Sequence, residues 1–139
     1  MRVVLDTCIL KLATFPGERN AAALIFELAR AALLEAWASP AMFEEYADVL
    51  GDHPEFVAEI TETCRLCYPL TELSVIRHEP DNRFLECALA ADVDFIVTVN
   101  TAPGHFDRKN YERTRVARPG EFLNLAEVVR LVKRLGSIR

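Results

Sequence analysis

The chain lacks any long unbroken apolar run. Its greasiest stretch, Ala21 to Ala38, is interrupted by Glu27, Arg30 and Glu35, so it predicts an amphipathic helix and no membrane span. The pattern of a secretory leader is missing as well, because Asp6 breaks the first apolar run after Val3-Val4-Leu5. Glycine and proline are scarce, 5 and 7 among 139 residues, and repeats, low-complexity tracts and linkers are absent, as in an ordinary soluble globular protein. The length favours a single domain over residues 1–139, large enough to bury a proper core. Cysteine is limited to Cys8, Cys64, Cys67 and Cys87. Four thiols suffice for two disulfides, but without a leader they read as reduced thiols of a cytoplasmic protein.

Charge is present but unevenly placed. Residues 1–107 carry 7 Lys/Arg against 18 Asp/Glu, whereas residues 108–139 carry 9 against 3. Arg108, Lys109, Arg113, Arg115 and Arg118 fall within eleven residues. A basic segment on an acidic body suits holding a phosphate backbone near carboxylates, and equally suits a solvated surface that offsets the acidic remainder.

Short apolar segments alternate with amphipathic ones. Val3–Leu5, Ala36–Ala38, Asp94–Val99 and Arg115–Ala117 read as strands. Helices are expected over about 21–35 with Asn20 as N-cap, over about 40–50 behind Ser39-Pro40, and from His53-Pro54 to about Cys67. Two more are expected, from Asp81-Asn82 to about Ala91 and from Pro119 onward. Pro16-Gly17 marks a turn, and Leu70–Ile76 is a connection or a strand. The alternation predicts an α/β fold with a mainly parallel sheet covered on both faces. Ligands gather beyond the carboxyl ends of such strands, and there Asp6 and Asn100 would share one edge.

Two further carboxylates stand in suitable places. On the helix from Pro40, the apolar face centres near Tyr46; Glu44 and Asp48 point away, while Glu45 lies about 90° from that centre. Glu45 is thus either a reaching acid or an idle boundary residue. Asp81 opens a helix as an N-cap, a role compatible with facing the sheet edge. Converging carboxylates repel each other, and a hard divalent cation such as Mg2+ resolves that repulsion and acts on a phosphodiester.

The stretches VVLDTCIL, SPAMFEEYADVL, EPDNRFLECALAADVDFIVTVN and VARPGEFL, in that order through nearly the whole chain, resemble the PIN-domain family, particularly its VapC-type toxin branch. The DNRFLECALAA-x-x-DFIVT block is the specific part. The resemblance implies a Rossmann-like, three-layer fold with an acidic pocket and a Mg2+- or Mn2+-dependent ribonuclease, the toxin of a pair restrained by a small antitoxin protein. Position by position it implies Asp6, Glu45 and Asp81 as catalytic, metal-holding acids. The family's frequent Thr-x-Asp is here Thr98-Val99-Asn100. An asparagine, often found there in the toxin branch, offers a carbonyl oxygen or orients a water but adds no charge. A second metal therefore stays open, with Asp107 a loop alternative, and Val99 replaces a smaller residue.

Around this pocket Thr7 and Thr98 are candidates to hold a water or a phosphate oxygen, or else to bond local backbone. His105 is a candidate for substrate contact or proton transfer, and Arg108, Lys109, Arg113 and Arg115 for tracking RNA. His53 and His78 have less to recommend them. Cys64-x-x-Cys67 would end a helix, unlike a redox motif, and adding His78 and Cys87 gives zinc-ligand types at the spacing of no standard finger. Leu123, Ala126, Val129 and Leu131 form either a core-facing stripe or a partner face, and a homo-oligomer is open. Two rival functions remain: a PIN-like domain that binds RNA or a protein partner without cutting, and a phosphatase with Asp6 as nucleophile. The phosphatase needs a second aspartate where Cys8 stands.

Overall fold

The computed structural model describes residues 1–15 and 20–138. The expected turn at Pro16-Gly17 lies outside the described residues. The first strand, β1 (Arg2–Leu5), is followed by helices α1 (Thr7–Ala13) and α2 (Ala21–Arg30), then by β2 (Glu35–Ala38). Helices α3 (Pro40–Val49) and α4 (Pro54–Thr63) lead to β3 (Arg65–Leu66). After a long irregular connection come α5 (Asp81–Ala90) and β4 (Phe95–Val97), a hairpin of β5 (Asn110–Tyr111) and β6 (Thr114–Ala117), and helices α6 (Pro119–Leu123) and α7 (Ala126–Ile138).

The sheet runs β3-β2-β1-β4-β6-β5, parallel throughout except for the β5–β6 pair. Helix α5 lies across β1, β2 and β4 with α3 beside it. Helix α4 packs on α3 and meets α2 through Phe56 and Phe26, and α2 also packs on α1, α6 and α7. This is the α/β, Rossmann-like three-layer architecture. Covering on both faces explains why Val3, Val4, Leu5, Ile96 and Val97 form unalternating apolar runs, all of them buried. The chain steps outward from β1 to β2 and β3, then returns to the other side of β1 as β4. That reversal puts the switch point of the sheet at the carboxyl ends of β1 and β4, where ligands gather in such folds and where Asp6 and Thr98 stand, both buried.

Several expected boundaries move. The helix expected to reach residue 35 ends at Arg30, because Ala32 takes a left-handed turn (φ 60°) and frees Glu35 to pair beside Arg2. The helix expected to reach Cys67 ends at Thr63, and Cys64 turns extended so that Arg65 and Leu66 extend the sheet next to Trp37 and Ala38. The expected strand over 94–99 pairs only at Phe95–Val97, and Leu70–Ile76 forms no strand. The terminal helix breaks at Asn124 into α6 and α7. On α7 the inward residues are Val128 and Leu135, with Leu131 and Val132 half-buried, while Val129 and Ala126 face solvent. The segment after Asp6 is a helix, α1, which was not among the expected elements and which Asp6 caps.

One polar contact ties the third helix to the first strand. The Tyr46 hydroxyl, fully buried, donates to the Leu5 carbonyl at 2.5 Å, and its ring packs edge-on against Phe84. Tyr46→Phe keeps the ring contact and removes only this bond. It should cost about 1–2 kcal/mol in denaturant unfolding with an unchanged m-value. A loss below about 0.3 kcal/mol would show the Leu5 carbonyl satisfied otherwise.

Candidate functional site

Asp6 ends β1 and serves as N-cap of α1, which answers why a carboxylate sits between two apolar runs. Its Oδ1 accepts the Thr7 backbone N–H at 2.8 Å. Its Oδ2 accepts the Thr98 hydroxyl at 2.7 Å, with the Cys8 thiol 3.6 Å away. The Thr98 hydroxyl in turn accepts the Asn100 backbone N–H at 2.9 Å. Thr7 carries the network onward, its hydroxyl donating to Glu45 Oε2. Both threonine hydroxyls are buried and engaged with carboxylates, and that of Thr98 also bonds local backbone by accepting the Asn100 N–H.

Asp81 was expected as an N-cap, but it is the first residue of α5, capped by Pro80, and its side chain makes no capping bond. Its two oxygens instead meet two imidazoles: His78 Nδ1 lies 3.2 Å from Oδ1 and His105 Nδ1 lies 3.1 Å from Oδ2. Asp81 itself is only 4% exposed. The loops carrying the histidines are joined by the His78 N–H donating to the Gly104 carbonyl at 2.8 Å. Gly104 has φ +91°, a left-handed conformation that suits glycine at this crossing.

The acids feel one another. Burial above all pushes Asp6 up to about 6, and the charges of Asp81 and Glu45 push in the same direction against the Thr98 and Thr7 hydrogen bonds. Among the described residues none of the three pairs with a lysine or arginine. Asp6 and Glu45 thus offer carboxylate oxygens, the donor type that a hard divalent cation takes, whereas the partners of Asp81 are two imidazoles, and the three acids do not form a group of ligand atoms all within 4.8 Å of one another. The Cys8 thiol is pushed up to about 11 by its burial and by Asp6, so it stays neutral beside the acid.

A family model described as PIN domain matches residues 2–102. The chain belongs to the PIN-domain family. No curated protein and no solved structure matches it. PIN domains are generally nucleases and usually bind a divalent metal. The matched residues take in Asp6, Glu45, Asp81 and Asn100 and stop before His105.

In this PIN domain Asn100 lies three residues past β4, its N–H held by Thr98 and its carbonyl accepting the Phe106 N–H at 3.1 Å. Asp107 is exposed and accepts the Gly104 N–H, closing the 104–107 turn. The basic residues divide. Arg115 is level with Phe95, over whose ring its guanidinium sits at 4.4 Å, and Arg113 lies 3.9 Å from Asp92. Both therefore stand towards the amino end of β4, away from the acids. Lys109 is bonded to Val116 near the carboxyl end, and Arg108 lies over Tyr111 on the outermost strand. Arg118, a member of the basic stretch not singled out from the sequence, reaches the acidic edge: its Nη1 donates to the Val99 carbonyl at 2.7 Å and to the Thr101 hydroxyl at 3.2 Å. His78 was also passed over, although its spacing of three from Asp81 was a visible signal. Cys64 ends α4 as its C-cap, as expected, while Cys67 lies beyond β3, and burial raises the thiols of Cys64 and Cys87. Among the described residues, His78 groups with Asp81 and His105.

Proposed function

We propose that this PIN domain is a Mg2+- or Mn2+-dependent endoribonuclease, the toxin of a toxin–antitoxin pair, in which Asp6, Glu45 and Asp81 hold the metal. The observation that carries the reading is geometric: Thr7 ties Asp6, through its N–H, to Glu45, through its hydroxyl, at the carboxyl end of β1, and neither acid has a lysine or arginine partner among the described residues. A bound cation supplies Lewis-acid charge at the scissile phosphate and a more acidic water. The protein's own residues do the holding. Thr98 and the Thr7 N–H orient the two oxygens of Asp6, and the Thr7 hydroxyl fixes Glu45, so that two acids from separate elements share one frame. His78 and His105 restrain Asp81 from both sides, and Asn100 presents an uncharged amide near the Thr98 hydroxyl.

RNA would enter over the loops at this edge. Arg118 is the cation best set to meet a phosphate there, with Arg108 and Lys109 farther along the sheet. Arg118→Ala should weaken binding of a single-stranded RNA several-fold and reduce the salt slope of log Kd by about 0.7, whereas Arg115→Ala should change neither. Fluorescence anisotropy across salt concentrations reads both, and equal effects of the two variants would reject this orientation. The exposed apolar side chains of Leu66, Tyr68, Leu70 and Val75, close together in sequence, support a protein partner such as an antitoxin. No helix among the described residues is long and apolar enough to cross a membrane.

The test is cleavage of a mixed RNA pool by partner-free protein in Mg2+, in Mn2+ and in EDTA. Internal cuts that need metal support the nuclease. Asn100, in place of the family's frequent acid, favours one second reading, an RNA-binding PIN domain that does not cut. Retention of the pool without cleavage in either metal would establish that reading instead.

A further inference from the structure

We infer that His78, Asp81 and His105 form a binding site for a borderline transition-metal ion of the Zn2+ class, distinct in ligand chemistry from the acidic pocket but sharing its Asp81. The two imidazole nitrogens face opposite oxygens of one buried carboxylate at 3.2 and 3.1 Å. Neighbouring ligand atoms around a tetrahedral zinc with bonds of about 2.0–2.1 Å stand roughly 3.3 Å apart, so these contacts are already near the edge length of such a coordination shell. One ligand atom from each residue lies within 4.8 Å of the others. The imidazole rings lie beside each other, centroids 4.6 Å apart and planes tilted by 38°, and both turn Nδ1 towards Asp81. The His78 N–H to Gly104 carbonyl bond clamps the two loops, so both donors are held before any ion arrives.

Chemistry separates this site from the pocket beside it. Two imidazoles and one carboxylate select zinc-class ions over Mg2+, which takes oxygen ligands. Three protein ligands leave a coordination position open, and the half-exposed His78 gives the ion a route in. An ion held here takes Asp81 away from Glu45 and Asp6. Resting on the nuclease reading above, zinc is therefore an inhibitor of Mg2+-dependent cleavage.

The experiment titrates the metal-free full chain with ZnCl2 against a chromophoric chelator. One equivalent should bind, with affinity reduced at least tenfold in His78→Ala and in His105→Ala and changed less than twofold in the Cys64→Ser/Cys67→Ser double variant. Thermal unfolding of each variant confirms that it is folded, and adding zinc should raise the Tm of the parent chain and not of His78→Ala. Absence of stoichiometric binding, or affinity that follows the cysteines instead of the histidines, overturns the site. In the cleavage arm, one equivalent of zinc should cut the Mg2+-dependent rate at least tenfold in the parent chain and less than twofold in His78→Ala. Equal inhibition of both overturns the shared-ligand assignment. A parent chain that never cleaves RNA defeats the nuclease reading alone, because the chelator titration still decides the zinc site.

Discussion

Asp6→Asn should reduce metal-dependent RNA cleavage by about 100-fold or more and, in the same protein, stabilise the metal-free fold. The two effects have one cause. Asp6 is almost wholly buried and its carboxyl is raised from 3.8 to about 6, chiefly by loss of water and further by Asp81 and Glu45. A folded-state pKa above the unfolded one means that the native state holds the proton more tightly. This contribution to stability is fully present below pH 3.8 and is lost as pH rises through about 6. At neutral pH the buried charge costs up to about 3 kcal/mol. Asparagine keeps an oxygen to accept the Thr7 N–H and turns an NH2 donor to the Thr98 hydroxyl, which then accepts where it had donated, so the variant removes the charge and keeps both contacts in place. The metal-free variant should be more stable by about 1–3 kcal/mol at pH 7.5, with the advantage vanishing near pH 4. Mg2+ should raise the Tm of the parent chain and leave that of the variant unmoved. Thermal scans at several pH values, with and without Mg2+, read all of this. A variant less stable than the parent at pH 7.5 would refute the electrostatic account, and retained cleavage would refute Asp6 as a metal-holding acid.

The second large effect is expected from a residue with no chemistry of its own. Asn82 is fully buried, and its amide brackets Ile76: Oδ1 accepts the Ile76 N–H and Nδ2 donates to the Ile76 carbonyl, both at 2.9 Å. Nδ2 also meets the Glu79 carbonyl and carboxylate at 3.2 and 3.0 Å. These bonds fold the connection from residue 76 to 80 back onto the start of α5 and so deliver His78 to Asp81. Asn82→Ala strands the buried Ile76 N–H and carbonyl and should cost about 3 kcal/mol. In a chain of this size that lowers Tm by roughly 10 °C. Hydrogen exchange should show faster exchange first at Ile76 and His78, while the β1 and β4 amides keep their protection until global unfolding. Asn82→Asp, which keeps the acceptor for the Ile76 N–H but sets a buried carboxylate against the Ile76 and Glu79 carbonyls and the Glu79 carboxylate, should cost at least as much at neutral pH. A loss under about 1 kcal/mol in Asn82→Ala would mean that the connection is held by other contacts.

Four strands were legible: Val3–Leu5 and the core of the 94–99 run because burial on both faces leaves an uninterrupted apolar signal, and the shorter second strand and Arg115–Ala117 within about a residue of where they lie. The two-residue strands β3 and β5 were not expected. Helix ends were less legible. Arg30 and Thr63 are ends set by where the next strand must pair, at Glu35 with Arg2 and at Arg65 with Trp37, and no local residue type announces them. Helix α1 was hidden because its seven residues follow straight from β1 with Asp6 as cap, and an aspartate met as a charge was not also weighed as a cap. The angle placed Glu45 at the border of the amphipathic face but left it open between a reaching acid and an idle one, and its bond to the Thr7 hydroxyl is a tertiary contact.

By itself the sequence determined the layered α/β class, the strand end that carries Asp6, and the family, because periodicity and ordered motifs are properties of the chain. Only the tertiary structure decided which charges share space. It brought Thr7 between Asp6 and Glu45, set Arg118 and not Arg115 near the acids, and joined two loops so that His78 and His105 close on Asp81. The reason is physical. Local pattern reports which face of an element is buried, while partners separated by tens of residues are chosen by strand order, register and loop closure, and these exist only once the sheet has formed.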